Sequence, residues 1–341
     1  MARQGARLGA SVIIVNWNGR HFLKECLDSV FAQTCKDFEV ILVDNGSTDG
    51  SMEFVRKAYP KVRVLENASN LGFAEGNNVG FRAAKGRYIV PLNNDTKAHP
   101  RFLEALLKCA EKGGRRLGSV GSRMLYYSQP HLVNSTGIAA LKDGGGRDRG
   151  VNKPNSGEWS KGCEIFGPCA GAALYLREAL EDVKEGDDYF DPSFFAYFED
   201  VDLAHRLRLR GWKSLYCPDA VVLHHGRGTS RKISDFNIYY GNANRLKVII
   251  KDFPRGLIIR FLPWILLRQM FEFFYYTVLH LSLAPTRARL RVLSELGSLL
   301  RKRRGIQSRR RVGDSQLAAW LQTPPLATLF SERFIKTRAE R

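Results

Sequence analysis

The sequence has no long uncharged hydrophobic run, no internal repeat and no segment of simple composition. A helix that spans a bilayer needs about 20 mostly apolar residues, and charge interrupts every apolar stretch before that length. The six cysteines (Cys26, Cys35, Cys109, Cys163, Cys169 and Cys217) form no C-x-x-C pair. Neither a zinc site nor a small disulfide framework is therefore expected, and reduced thiols of a cytoplasmic protein are. Neither G-x-G-x-x-G after the first apolar run nor G-x-x-x-x-G-K-[ST] is present, so the dinucleotide and P-loop readings lose their support. Arg3 and Arg7 precede only the short run Val12–Val15, with no small-residue cleavage site. No secretory leader is expected, and the sequons at Asn67 and Asn134 carry little weight. Acid is scarce: 34 Asp and Glu stand against 53 Lys and Arg, a net charge of +19. Residues 251–341 alone hold 18 basic and 6 acidic side chains, which points to a polyanionic partner, an anionic membrane surface or nucleic acid.

What is present is a globular composition, 44% hydrophobic and 26% charged over 341 residues, enough to bury a large core. The first hundred residues alternate strand and helix signals. Ser11–Asn16 and Phe38–Val43 read as buried strands, and Val62–Glu66 and Arg87–Leu92 as two more. Between them Phe22, Leu23, Cys26, Leu27 and Val30 recur at helical spacing, and Met52–Ala58 and Gly76–Lys85 read as helices. Such alternation predicts a parallel sheet with helices on both faces, with ligands beyond the carboxyl ends of its strands. The stretch 142–162, rich in Gly, Asp, Asn and Lys, reads as a mobile surface loop. Val201–Arg210 reads as a short helix, with acid at its start, Arg at its end and Gly211 just beyond. Residues 255–283 are strongly apolar but broken by Arg260, Arg268, Glu272 and His280, and Arg287–Arg311 adds ten Lys and Arg. An interfacial helix followed by a lipid-binding basic stretch fits that pattern better than a span.

Four clusters carry chemistry. Asp44 ends a strand and opens D-N-G-S-T-D-G, placing a carboxylate where a pyrimidine imide could be read, though alone it reads first as a polar turn. Asn93-Asn94-Asp95-Thr96 ends another strand and alone reads as an Asx turn, but with Asp44 as a second acidic strand end it offers a hard-oxygen site suited to Mg²⁺ or Mn²⁺. Phe194-Phe195-Ala196-Tyr197-Phe198-Glu199-Asp200-Val201-Asp202-Leu203 sets carboxylates beside aromatics at a helix start. There an aromatic wall could hold a sugar face and a carboxylate act as general base, with helix capping as the plainer reading. His224 and His225 end a strand beside Gly226 and Arg227, as metal ligand or phosphate contact.

Seven blocks in order and spacing resemble the inverting family 2 glycosyltransferases of the GT-A fold, most of all their bacterial rhamnosyltransferase-like branch. They are S-V-I-I-V-N-W-N at 11–18, V-D-N-G-S-T-D-G-S at 43–51, N-L-G-F-A-E-G-N-N at 70–78, L-N-N-D-T at 92–96, G-A-A at 171–173, F-F-A-Y-F-E-D-V-D-L at 194–203 and H-H-G-R-G-T-S at 224–230. The resemblance implies an α/β GT-A domain over 11–245 with a mostly parallel central sheet. Outside it lie a tail at 1–10, a basic helical, membrane-associating extension at 246–311 and a C-terminal tail at 312–341. It implies Asp44 at the nucleotide base, with Asn16, Asn18, Asn45, Ser47, Asn70, Gly72, Asn78 and Asn94 around the donor. Asp95 matches the last residue of a D-x-D-like metal motif whose stricter members carry Asp where this chain has Asn93 and Asn94, so more rests on Asp95. His224 matches a metal or diphosphate ligand, with His225 as a rival. Asp200 matches the catalytic base, with Glu199 as the alternative, and Gly171, Ala172, Phe195, Tyr197 and Asp202 fall at the acceptor or sugar.

The implied activity is transfer from a nucleotide-diphosphate sugar, dTDP-rhamnose as first guess, to a glycan hydroxyl with inversion, helped by Mg²⁺ or Mn²⁺. The acceptor is expected to be polyprenyl-linked, and the setting the cytoplasmic face of the plasma membrane, in cell-surface polysaccharide synthesis. A nucleic-acid partner is not expected, because the basic excess lies behind an apolar aromatic segment rather than interleaved with aromatics. A catalytically dead sugar-binding scaffold is the other alternative, favoured by Asn93-Asn94 and opposed by the intact acids.

Overall fold

The computed structural model describes residues 9–226 and 234–324. They fall into two compact units, one from Met1–Ile138 and Asp148–Thr229, the other from Ala139–Arg147 and Ser230–Arg341.

The first unit runs β1 (Ala10–Asn16), α1 (Arg20–Phe31), β2 (Phe38–Asp44), α2 (Ser51–Ala58), β3 (Arg63–Glu66), α3 (Gly72–Ala83) and β4 (Tyr88–Pro91). It continues with β5 (Thr96–Ala98), α4 (Phe102–Lys112), β6 (Leu117–Tyr126) and β7 (Val133–Ser135). Next in the chain are β8 (Ile138–Ala140) and β9 (Gly146–Asp148), which pair as a small sheet of their own and fall mostly in the second unit; the first unit resumes with β10 (Cys163–Ile165), β11 (Ala173–Leu176) and α5 (Arg177–Val183). It closes with α6 (Glu199–Leu209) and β12 (Lys213–His224). The main sheet has the order β10-β12-β6-β11-β4-β1-β2-β3, with β5 added on β12 and β7 on β6.

Successive side chains of a strand point to opposite faces, and β1 uses both. Val12 and Ile14 enter one buried cluster with Leu27 of α1 and Leu106 of α4. Ile13 enters the other, with Phe81 of α3 and Leu203 of α6. Covering both faces in this way is what permits β4, β1, β2 and β3 to run parallel. The other half of the sheet is mixed: β11 runs antiparallel between β4 and β6, while β6 and β12 are parallel.

Three sequence expectations meet a different outcome. The helix read from Gly76 begins at Gly72, inside the motif. The stretch read as a mobile loop, 142–162, contains β9, a buried Asp143 and a buried Trp159. The domain boundary drawn at 245 falls within an 18-residue helix, α7 (Asp235–Asp252).

The second unit is helical. After α7 come α8 (Arg255–Glu272), a π-helical continuation (Phe273–Leu279), α9 (Ala284–Ser294), α10 (Leu296–Ser308) and α11 (Asp314–Ala318). Ala243 of α7, Ala288 and Val292 of α9 and Leu299 of α10 form one buried cluster, which is why α7 goes with the helices that follow it. Among the described residues no helix is long and apolar enough to cross a membrane.

Candidate active site

The parallel strands β1, β2 and β4 end together. Asn16 pairs in register with Asp44, and beyond β4 the Asn94 amide donates to Asn16 Oδ1 at 2.8 Å. Gly19 leaves the space this amide pair needs: a Cβ there would overlap both side chains. The Asp44 carboxylate, 2% exposed, is turned onto its own loop. Its Oδ1 accepts from Asn16 Nδ2 at 3.1 Å and the Ser47 hydroxyl at 2.6 Å, and its Oδ2 from the Ser47 N–H at 2.8 Å. A carboxylate has about four acceptor positions, so little capacity is left for a ligand. Asn18, in the left-handed region at φ 49°, accepts from the Thr48 N–H at 2.8 Å. Asn45 is buried and donates to the Gly72 carbonyl at 2.9 Å, while Asn70 Oδ1 accepts from the Gly72 N–H at 2.9 Å. These residues therefore build the loops around the strand ends. Trp17, which the sequence reading passed over, stands 45% exposed at the end of β1.

Asp95 follows β4, and His224 ends β12. The antiparallel pairing of β5 with β12 sets His224 opposite Thr96, so that His224 Nε2 lies 3.1 Å from Asp95 Oδ1. Burial raises the Asp95 pKa, but the hydrogen bond and charge of His224 outweigh it and leave the carboxyl below its ordinary range. His224 Nδ1 lies 2.9 Å from Asn134 Oδ1, an acceptor that calls for a proton at Nδ1 and fixes the ring with Nε2 toward Asp95. Asn93 Nδ2 is 3.3 Å from the same Nε2. His225 is committed elsewhere. Its ring stacks on Tyr127 at 3.9 Å, and its Nε2 lies 3.2 Å from Glu25 Oε2. Of the two rival histidines, His224 is the one beside Asp95.

Asp200 lies in the first turn of α6 and is partly exposed. Its Oδ2 accepts the Ala170 N–H at 3.1 Å. The next residue, Gly171, accepts the Asn93 N–H at 2.8 Å through its carbonyl. Two hydrogen bonds thus join Asp200 to the segment that carries Asp95. Burial, with Asp148 adding to it, pushes the Asp200 carboxyl up to about 6 against the N–H groups of Ala170 and Val201. Glu199 is 6% exposed and its Oε2 has no hydrogen-bond partner. Burial and the adjacent Asp200 push its pKa well up, which favours the neutral acid. Of the two adjacent carboxyls, Asp200 is therefore the one fitted to be a base near neutral pH.

The aromatic stretch before α6 is strained. Phe195, Tyr197 and Phe198 all have positive φ, at 60°, 67° and 69°, at a cost of about 1–3 kcal/mol each. Part of what holds them is Gly72, at φ +81°, whose missing side chain makes room for the Phe195 ring and carbonyl. The Ala74 N–H donates to that carbonyl at 3.1 Å. Tyr197 stands out into solvent.

Three expected contact residues lie inside the protein instead. Ala172 is in the core and bridges Leu92 through its backbone. Asn78 is fully buried: its amide donates to the Phe190 carbonyl at 2.7 Å and accepts the Phe190 N–H at 2.9 Å. Asp202 is fully buried and ion-paired with Arg206 at 2.8 Å. One helical turn separates that pair, so its spacing was present in the sequence, masked by the acids before it.

The family model "Glycosyl transferase family 2" matches residues 11–184. The chain belongs to glycosyl transferase family 2. This glycosyltransferase is 30% identical over 234 residues, 63% of its length and 75% of the relative's, to an N-acetylglucosaminyl-diphospho-decaprenol L-rhamnosyltransferase of Mycobacterium tuberculosis. It is 34% identical over 103 residues to the uncharacterized glycosyltransferase YibD of Escherichia coli, covering 29% of this chain and 30% of that one. Among solved structures, GalNAc-T7 with UDP, GalNAc and Mn²⁺ superposes with a TM-score of 0.59 at 15% identity, over 79% of this chain and 52% of that one. Residues 1–349 of Staphylococcus aureus TarS, in complex with UDP, superpose with a TM-score of 0.52 at 18% identity, over 88% of both chains. The fold is the GT-A fold expected from the motifs.

The donor set of this glycosyltransferase fits a divalent cation held by few protein ligands. No group of three or more His, Cys, Asp and Glu stands together among the described residues. Asp95 and His224 offer one oxygen and one nitrogen 3.1 Å apart, close to the roughly 3 Å between neighbouring ligands of an octahedral ion bound at about 2.1 Å. An imidazole in the set suits Mn²⁺ better than Mg²⁺.

The interior position of Asp202 leads to a stability prediction. Replacing Asp202 by Ala leaves the Arg206 charge buried without its carboxylate, and should cost about 3–5 kcal/mol. Urea unfolding of the variant measures it, and a loss below about 1 kcal/mol would show that the pair does not anchor α6.

Proposed function

We propose that this glycosyltransferase moves a sugar from a nucleotide-diphosphate donor to a hydroxyl of a lipid-linked glycan, with inversion, using Asp200 as base and a divalent metal at Asp95 and His224. The observation that carries the reading is the short hydrogen-bonded path from Asp200 through Ala170, Gly171 and Asn93 to Asp95 and His224. It ties a carboxylate of raised pKa to one of lowered pKa. Rhamnose from dTDP-rhamnose is the first candidate donor, and a polyprenyl-linked glycan the first candidate acceptor, by analogy with the mycobacterial relative. The six free thiols suit a cytoplasmic setting, and the reaction would take place at the inner face of the plasma membrane.

The residues divide the work. The loops built on Asn16, Asp44 and Asn45 shape the place of the nucleotide, and Trp17 offers a face for its base. A bound Mg²⁺ or Mn²⁺ would offset the charge of the departing diphosphate. Asp200 takes the proton of the acceptor hydroxyl as that oxygen bonds to the anomeric carbon. The bond from that carbon to the diphosphate oxygen breaks on the opposite side, and the nucleoside diphosphate leaves. One displacement of this kind inverts the anomeric centre.

Four outcomes are expected. In a panel of nucleotide sugars, one donor should be hydrolysed or transferred in the presence of Mn²⁺ or Mg²⁺ and spared in EDTA; turnover unaffected by EDTA would remove the metal from the account. Asp200→Asn should lower transfer by about 10²–10⁴-fold while the donor still binds, and unchanged turnover in the folded variant would sink the assignment. Because the Asp200 carboxyl stands at about 6 and must be ionised to act, kcat/KM should fall roughly tenfold per unit as pH drops below that value. Asn134→Leu should weaken Mn²⁺ binding about 10–100-fold, read by titration calorimetry without donor; unaltered affinity would mean that the ring needs no such partner.

A further inference from the structure

The second unit contains a helix built inside out. The buried positions of α8 are Leu257, Phe261, Ile265, Arg268 and Glu272, so its inner face carries charge. Arg268 Nε donates to Asp143 Oδ2 at 3.0 Å and lies 3.7 Å from Glu272 Oε1. Arg245 of α7 completes the group, 3.3 Å from Asp143 and 3.3 Å from Glu272. The outer face is the reverse. From Leu262 to Leu279 every exposed residue is apolar. Ile259, Leu266, Met270, Phe274, Leu279 and Leu281 are each more than half exposed. A helix facing water shows the opposite polarity, and isolated exposed leucines do not amount to such a run.

Exposed basic charge on the same helical unit argues for one occupant. Arg255 and Arg260 are exposed at the start of α8, and Arg287, Arg291, Arg301 and Arg304 are exposed on or near α9 and α10. A second copy docked face to face would bring these like charges together. An anionic bilayer offers hydrocarbon to the apolar face and phosphates to the arginines. We propose that the outer face of α8 and its π-helical continuation lies in the headgroup region of an anionic membrane, with the arginines of α9 and α10 on lipid phosphates. Its purpose rests on the membrane-borne acceptor proposed above, and its test needs no turnover.

The full chain is sedimented with vesicles of equal parts phosphatidylglycerol and phosphatidylcholine, and with vesicles of phosphatidylcholine alone. It should bind the anionic vesicles, less so in high salt. The triple variant L266S/M270S/F274S should partition at least about tenfold more weakly. The pair R301E/R304E should lose most of the salt dependence. Wild-type protein that stays in the supernatant overturns the proposal, as does an apolar variant that binds like wild type. A concentration-dependent dimer in vesicle-free buffer that the triple variant abolishes would replace the membrane by a second copy. Should the triple variant fail to fold, quenching of wild-type Trp264 fluorescence by brominated lipid decides, with Trp264→Phe as control and absence of quenching as the contrary result. Vesicle binding without hydrolysis of any donor would count against the proposed reaction and leave the membrane face standing.

Discussion

The site depends on the register of β12. That strand pairs parallel with β6, which on its other ladder carries β7, and antiparallel with β5. Three segments remote in sequence are thereby fixed around one imidazole: Asp95 before β5, Asn134 in β7 and His224 at the end of β12. A shift of one residue would turn His224 to the other face and separate it from the carboxylate. The same register commits His225 to Tyr127 and Glu25, so two adjacent histidines reach different surroundings.

On that frame the protein drives its carboxyls apart. Asp95, next to an imidazole, lies below the ordinary range, whereas Asp200, its carboxyl desolvated and further raised by the charge of Asp148, lies above it. Groups whose environments push them in opposite directions mark a division of labour. The first is suited to hold positive charge and the second to exchange a proton near neutral pH. Burial and the neighbouring Asp200 push Glu199 up as well. The left-handed turn at Phe195, Tyr197 and Phe198 is the conformational cost of starting α6 where Asp200 meets the Ala170 N–H.

Much of this was legible in the chain. The β-branched runs at Ser11–Asn16 and Phe38–Val43 and the helical spacing from Leu23 to Val30 became β1, β2 and α1, because local periodicity and burial agree there. The polar strand ends at Asp44 and Asp95 also stood where the alternation placed them. Asn134 was not legible: it reads as a sequon, and only the β6 ladders bring it to His224. Asn78 and Asp202 sit in motifs, yet their side chains serve the interior, since a motif preserves the shape of a site as well as its contacts. The inside-out character of α8 was half visible. Its apolar content was plain, but which side Arg268 and Glu272 took depended on Asp143, more than a hundred residues earlier.

The central claim is that Asp95 and His224 together hold the metal that faces the donor diphosphate. The most direct measurement is anomalous scattering from a crystal of the protein grown with Mn²⁺ and its nucleotide-sugar donor. The account predicts a manganese peak about 2.1 Å from both an Asp95 oxygen and His224 Nε2, with the diphosphate completing the shell. A peak at Glu25 and His225, or one that touches neither Asp95 nor His224, would contradict it.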